Sequence, residues 1–190
     1  DQHDVKSHRY LVMLDDDLRF DVRRKDAPCL FRPAKEEDII DAFKALKTAL
    51  HTYAHAGLTA REGANRKLVD QVSTRMCRVL AYDVQVFRSA KVKFDRLPLM
   101  EDFDVTLQLL RAGYPNIVLA KYVHGQGVSG MSGGCSTYRT MQMQGQTAQQ
   151  LAALHHPFVK VVEKTTKSAW GGATRTDVIV RWKKAYESSK

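Results

Sequence analysis

Arg9-Tyr10-Leu11-Val12-Met13-Leu14-Asp15-Asp16-Asp17-Leu18-Arg19-Phe20 is the stretch that decides the fold of this chain. Its apolar run, Tyr10 to Leu14, predicts a strand buried on both faces, as in a parallel sheet. The run stops at three carboxylates. Adjacent like charges raise one another's pKa and cost stability when unpaired, and a bound cation is the usual remedy. Oxygen-only ligands suit a hard ion such as Mg²⁺ or Mn²⁺, which commonly takes one or two carboxylates together with substrate phosphates. In an open α/β sheet, ligands bind beyond the carboxyl ends of the strands, where this triplet falls. Alternatively, the acids end a polar strand and pair with Arg9, Arg19, Arg23 or Arg24.

Downstream, residues 21–35 carry Pro28 and Pro33 and read as a loop. Ile39, Phe43, Leu46, Leu50 and Tyr53 recur at helical spacing and predict a helix over 35–55, capped by Gly57. Glu36, Glu37 and Asp38 suit the positive end of its dipole. Residues 57–66 (GLTAREGANR) read as a polar loop fit for a phosphate, a sugar or a base, or as a solvated connection. Residues 75–86 read as one strand, or two with a turn, with Asp83 at an inner position. Glu101 and Asp102 open a helix striped by Phe103, Leu107 and Leu110 and stopped at Gly113-Tyr114-Pro115. Asp102 there is either an N-cap or a carboxylate aimed into a cleft, as a general base must be. Residues 117–123 are a strand ending in His124 before a Gly/Ser-rich run that lacks the Gly-Lys-Ser/Thr of a Walker motif. A Gln-rich helix over 138–154, a short strand over 158–162, a basic loop over 164–172, a strand over 177–182 and a polar tail complete the chain.

The 190 residues suffice for one domain with a real core, 1–190. A net charge of +9 and a pI near 9.5 favour a polyanionic partner. Cys29, Cys77 and Cys135 have neither metal nor disulfide spacing, which points to a reducing cytoplasm. No apolar run approaches a membrane span.

LDDDLRF (14–20), GLTAREGANR (57–66), LMEDFDVTLQLLRAGYPN (99–116), YVHGQG with GGCSTYR (122–127, 133–139) and KTTKSAWGG with DVIVRWKKAY (164–172, 177–186) share an order. Together they resemble the GT-A glycosyltransferase plan and, more narrowly, the TET-associated glycosyltransferases of bacteriophage DNA-modification systems. The resemblance implies a GT-A-like, Rossmann-type mixed α/β sheet flanked by helices. It implies sugar transfer from a nucleotide-sugar donor, UDP-glucose or related, onto a hydroxymethylated pyrimidine such as 5-hydroxymethylcytosine in DNA, with Mn²⁺ or Mg²⁺, in the host bacterial cytoplasm. Asp15 and Asp17 match the metal-binding motif with Asp16 inside it, and His124 is similar to the histidine that completes such sites. Glu101 and Asp102 match the acidic pair that supplies the general base. Lys164, Lys167 and Trp170 fall where a pyrophosphate-covering segment lies. Arg61 and Arg66 face the donor or the DNA. The GT-A plan places a nucleotide-binding βαβ portion before the acidic motif. Only eight residues precede Arg9 here, so the chain is expected to lack part of that region. Two alternatives stand beside this one: a non-catalytic nucleic-acid-binding module, and a transferase acting on a protein or glycan hydroxyl.

Overall fold

The computed structural model describes residues 8–126, 140–165 and 174–190. Its elements run β1 (Tyr10–Leu14), β2 (Leu18–Arg23), β3 (Phe31–Pro33), α1 (Glu36–Ala49), β4 (His55–Ala60), a 3-10 turn (Ala64–Arg66), β5 (Gln71–Val72), β6 (Val79–Asp83) and α2 (Val84–Ser89). After them come α3 (Glu101–Arg111), β7 (Asn116–Gln126), α4 (Met141–Leu154), β8 (Val159–Thr165), β9 (Thr174–Val180) and α5 (Trp182–Glu187). The main sheet is ordered β1-β6-β4-β7-β2-β3, with β5 paired to β7, and β8 and β9 form a separate hairpin. The β4–β7 pair is parallel and the other ladders are antiparallel. The expected mixed sheet flanked by helices is therefore present.

The opening strand departs from its predicted setting. β1 is an edge strand, antiparallel to β6, and Leu11, Met13 and Leu14 are exposed. An apolar run of five residues does not distinguish a doubly buried strand from an edge whose outer side is open.

β1 and β2 are joined only by Asp15–Asp17, yet three strands separate them in the sheet. Four flat strand spacings of roughly 4.8 Å make about 19 Å, whereas four residues reach at most about 14 Å. The sheet must curl to bring these strands within reach. The pairing shows where: β4 tracks β7 through Leu58↔Leu119, then jumps to Thr59↔Val123. Side chains satisfy the polar groups freed at this bulge. Thr59 Oγ1 donates to Leu119 O at 2.8 Å, and Ala120 N donates to Asp70 Oδ1 at 2.7 Å. Such a bulge bends its strand and re-aims the residues beyond it, here His124 to Gln126.

α1 lies in the concavity, with Ala42, Leu46 and Leu50 packed on Val22, Ala56, Leu58, Val79, Ala81, Leu119 and Tyr122. Arg32 and the Lys35 backbone N–H both bind Asp38 at its N-terminus. The helix ends before the predicted residue 55, because His55–Ala60 is a buried strand. Gly57 is no helix cap. It lies inside β4, where an added Cβ would stand 3.0 Å from Val79 O. Residues 57–60 are thus core rather than polar loop. Residues 21–35 hold a hairpin instead of a loop, tied down by Arg23, which donates to the carbonyls of Pro28, Ala64, Lys67 and Ala120. Leu46 is fully buried at the centre of this core. Leu46→Ala is expected to cost about 2–5 kcal/mol, read from urea unfolding midpoints.

On the opposite face, Met76, Leu80, Tyr82 and Val118 receive Val105 and Leu109 of α3. The far side of α3 joins α4, the β8–β9 hairpin and α5 in a further cluster through Leu107, Leu110, Leu151, Val159, Val178 and Ala185. A buried ionic knot locks α3 to the end of α4. Asp104 accepts from His155 Nε2 at 2.6 Å and from Arg96 Nε at 2.9 Å, while Arg111 Nη1 stands 3.2 Å from His155 Nδ1. Burial works against ionised Asp104, but the bonds from His155 and Arg96 outweigh it and hold its carboxyl below the usual range. A depressed carboxylate stabilises above its unfolded pKa of about 3.9, and that stability vanishes as pH falls through the folded value. Asp104→Asn is therefore expected to lose about 3–5 kcal/mol at neutral pH. The gap to the parent should close below about pH 4 in thermal melts.

Candidate active site

Asp15 to Asp17 form the turn between β1 and β2, and all three acids are exposed. Gln126, the last residue of β7, donates its Nε2 to Asp15 Oδ2 and to Asp17 Oδ1, each at 3.2 Å. The two carboxylates therefore converge on one electropositive point. Partial burial first, and Asp17 next, push the Asp15 carboxyl up, against the pull of Arg78. Asp16 contributes to that repulsion and makes no hydrogen bond among the described residues.

His124 shares a face of β7 with Gln126, two residues deeper, since the β2 register runs regularly through Phe20↔His124 and Leu18↔Gln126. It is fully buried, and neither ring nitrogen has a hydrogen-bond partner among the described residues. Burial, helped by the nearby Arg78 charge, lowers its pKa to about 4, so the ring is neutral and able to ligate. Leaving a buried polar group unsatisfied costs about 1–3 kcal/mol. The converging carboxylates of Asp15 and Asp17 are oxygen donors of the kind that suit Mn²⁺ or Mg²⁺. No group of three His, Cys, Asp or Glu side chains close enough to hold a metal occurs among the described residues. Asp15 and Asp17 are brought together, and His124 is not drawn in with them.

Asp102 is not a helix cap. The N-cap is Met100, at a left-handed φ of 59°, and Asp102 Oδ1 accepts from the next backbone N–H, Phe103, at 2.9 Å. Burial pushes its carboxyl up to about 6. Arg75 opposes the shift, and Glu101 and Asp15 add to it. Glu101 also raises Asp15, so the acidic turn and the start of α3 belong to one electrostatic unit.

Four neighbours escaped sequence reasoning: Arg78, Glu62, Cys77 and Arg75. Arg78, at a φ of 63°, accepts the Asp15 backbone N–H on its carbonyl at 3.1 Å. Its guanidinium binds Glu62 at 3.1 and 3.3 Å. Burial pushes the Cys77 thiol up, with Arg75, Asp102, Arg78 and Glu62 around it. Non-glycine residues at positive φ are costly and gather at functional sites, and Arg78 and Met100 flank this one. The basic spacing of Arg75 and Arg78 just before a buried strand was the available signal.

A family model described as TET-Associated Glycosyltransferase matches residues 2–134, more than half of the chain. The chain belongs to the TET-associated glycosyltransferase family. No curated protein and no solved structure matches it. Glu101, Asp102 and the acidic turn of this glycosyltransferase lie within the matched span. Of the basic residues expected to face the donor, Arg61 is engaged elsewhere. Its guanidinium stacks 4.5 Å from Phe31 and stands 3.7 Å from Asp21, although its backbone N–H binds His124 O at 2.7 Å. Arg66 is exposed at the end of the 3-10 turn. Lys164 pairs with Asp177 at 3.1 Å, and no contact joins it to the acidic turn among the described residues. Lys167, Trp170 and the Gly/Ser run after Gln126 lie outside the described residues. Among the described residues no helix is long and apolar enough to cross a membrane.

Proposed function

We propose that this glycosyltransferase moves a sugar from a nucleoside-diphosphate sugar, UDP-glucose or related, onto the hydroxymethyl group of a modified pyrimidine in DNA, with inversion at the anomeric carbon. The observation that carries the reading is the pairing of two carboxylate environments. Asp15 and Asp17 converge on one point, while Asp102 stands alone, raised to about 6 chiefly by burial. A converging pair of carboxylates suits a cation, and a single buried carboxylate suits proton transfer.

Asp15 and Asp17 are the residues that would hold the metal, which when bound would supply Lewis-acid stabilisation of the diphosphate leaving group. Asp102 accepts the proton of the acceptor hydroxyl as its oxygen bonds to the anomeric carbon and the bond to the diphosphate breaks. Glu101 tunes that base by raising its pKa. Arg78 anchors the acidic turn through its backbone carbonyl and offsets its charge. A hydroxymethyl group at the pyrimidine 5 position projects into the major groove, and the net charge of +9 supplies salt-dependent affinity for the phosphate backbone.

The test is release of nucleoside diphosphate from a panel of UDP-sugars with Mn²⁺. Turnover with DNA containing 5-hydroxymethylcytosine, and none with unmodified DNA, supports the reading. Turnover with a peptide or glycan acceptor and not with DNA contradicts the acceptor.

A further inference from the structure

Three side chains from separate segments meet next to Asp102 in the chain, one of them, Arg75, acting on its carboxylate. Arg75, just before β6, places its guanidinium carbon 4.5 Å from the centre of the Phe103 ring. Phe103, the third residue of α3, meets Trp182, the first residue of α5, with ring centres 5.4 Å apart and planes tilted by 44°. Phe103 and Trp182 are half-buried, packed on the α3–α4–α5 core by one side, whereas Arg75 is exposed. Core packing accounts for the inner parts of the rings. It does not account for Arg75, whose guanidinium makes no hydrogen bond among the described residues while its charge acts on Asp102 and Cys77. A guanidinium that gives its face to a ring keeps its edge, with five N–H donors, free for an anion.

We propose that Arg75, Phe103 and Trp182 form the acceptor subsite. It takes one nucleotide of a DNA strand, whose base stacks on the open aromatic surface while the Arg75 edge holds the adjacent phosphate. The inference rests on Asp102 as the general base. A group that takes the acceptor's proton must touch the acceptor, and Arg75, which lies over the Phe103 ring, also acts on the Asp102 carboxylate. The donor's phosphates belong with Asp15 and Asp17. Aromatic stacking tolerates any base, so sequence context is left to contacts elsewhere.

The chain has two tryptophans, Trp170 and Trp182. In a W170F variant, used for fluorescence only, Trp182 reports alone. A short single-stranded oligonucleotide containing 5-hydroxymethylcytosine is expected to quench its emission, saturating in step with binding measured by anisotropy of a labelled copy. Arg75→Gln, an exposed change that spares the core, is expected to raise the KM for DNA about tenfold, in line with the loss of one charge-assisted phosphate contact. Its KM for the nucleotide sugar should move less than twofold. Binding without quenching overturns the platform. A rise in nucleotide-sugar KM with an unchanged DNA KM assigns the platform to the donor and overturns it as an acceptor subsite. If the parent protein quenches on binding yet releases no nucleoside diphosphate with any donor, the transferase reaction fails and the platform stands.

Discussion

Asp102→Asn is expected to lower kcat for sugar transfer by about 10²–10⁴-fold, the usual worth of a general base, while leaving the fold intact. The parent's kcat/KM should rise with pH to a plateau, with its acid limb near 6. Only the ionised carboxylate accepts a proton, and burial holds its pKa at about 6. In the variant that limb should vanish. Stability should move the other way. A carboxyl whose folded pKa lies above its unfolded value binds more protons in the native state, so the parent loses stability as pH climbs from about 4 to 6. Asp102→Asn does not bear that cost and should be more stable by about 1–3 kcal/mol at pH 7 to 8, read from urea midpoints. A residue needed only for structure would give a less stable variant. Glu101→Gln should shift the acid limb to lower pH, because Glu101 helps to raise Asp102.

Asp15→Asn and Asp17→Asn are each expected to cut transfer by about a hundredfold or more, since a metal's charge stabilisation is worth several kcal/mol. Without metal, either variant should melt at or above the parent's temperature. The two acids raise one another's energy, and Gln126 is the hydrogen-bond donor they share. Addition of Mn²⁺ should raise the parent's melting temperature by mass action and leave the variants unmoved. Differential scanning fluorimetry over a Mn²⁺ series reads both effects. A Mn²⁺-induced shift retained in both variants would remove Asp15 and Asp17 from the metal's ligands.

Local chemistry made much of this legible. The acidic turn after a strand, the helix opening at Glu101 and the strand running into His124 are set by short-range patterns, and each stands where the pattern puts it. What escaped depends on the third dimension. The apolar run Tyr10–Leu14 carries no mark of whether its neighbours lie on one side or two, and it proved an edge. Gly57 looked like a helix cap because glycine serves equally where a backbone approaches closely, as Val79 O does here. The hairpin after the acidic turn was hidden by its prolines, and it is held by one arginine reaching a carbonyl of its own loop and three distant ones. At the site, the partnership of Arg78 with Glu62 spans 16 positions and arises because β4 and β6 pair antiparallel. Gln126 has no sequence signature that separates it from any glutamine, yet it is the side chain that ties Asp15 to Asp17 across more than a hundred residues.

The most direct measurement is nucleoside mass spectrometry. DNA carrying 5-hydroxymethylcytosine would be incubated with the protein, Mn²⁺ and a panel of UDP-sugars, then digested to nucleosides. A hexose-sized mass gain on the modified base, absent for Asp102→Asn and abolished by EDTA, is the expected result. An unchanged modified base, alongside sugar gained by a protein or glycan offered in the same reaction, would contradict the assignment to DNA.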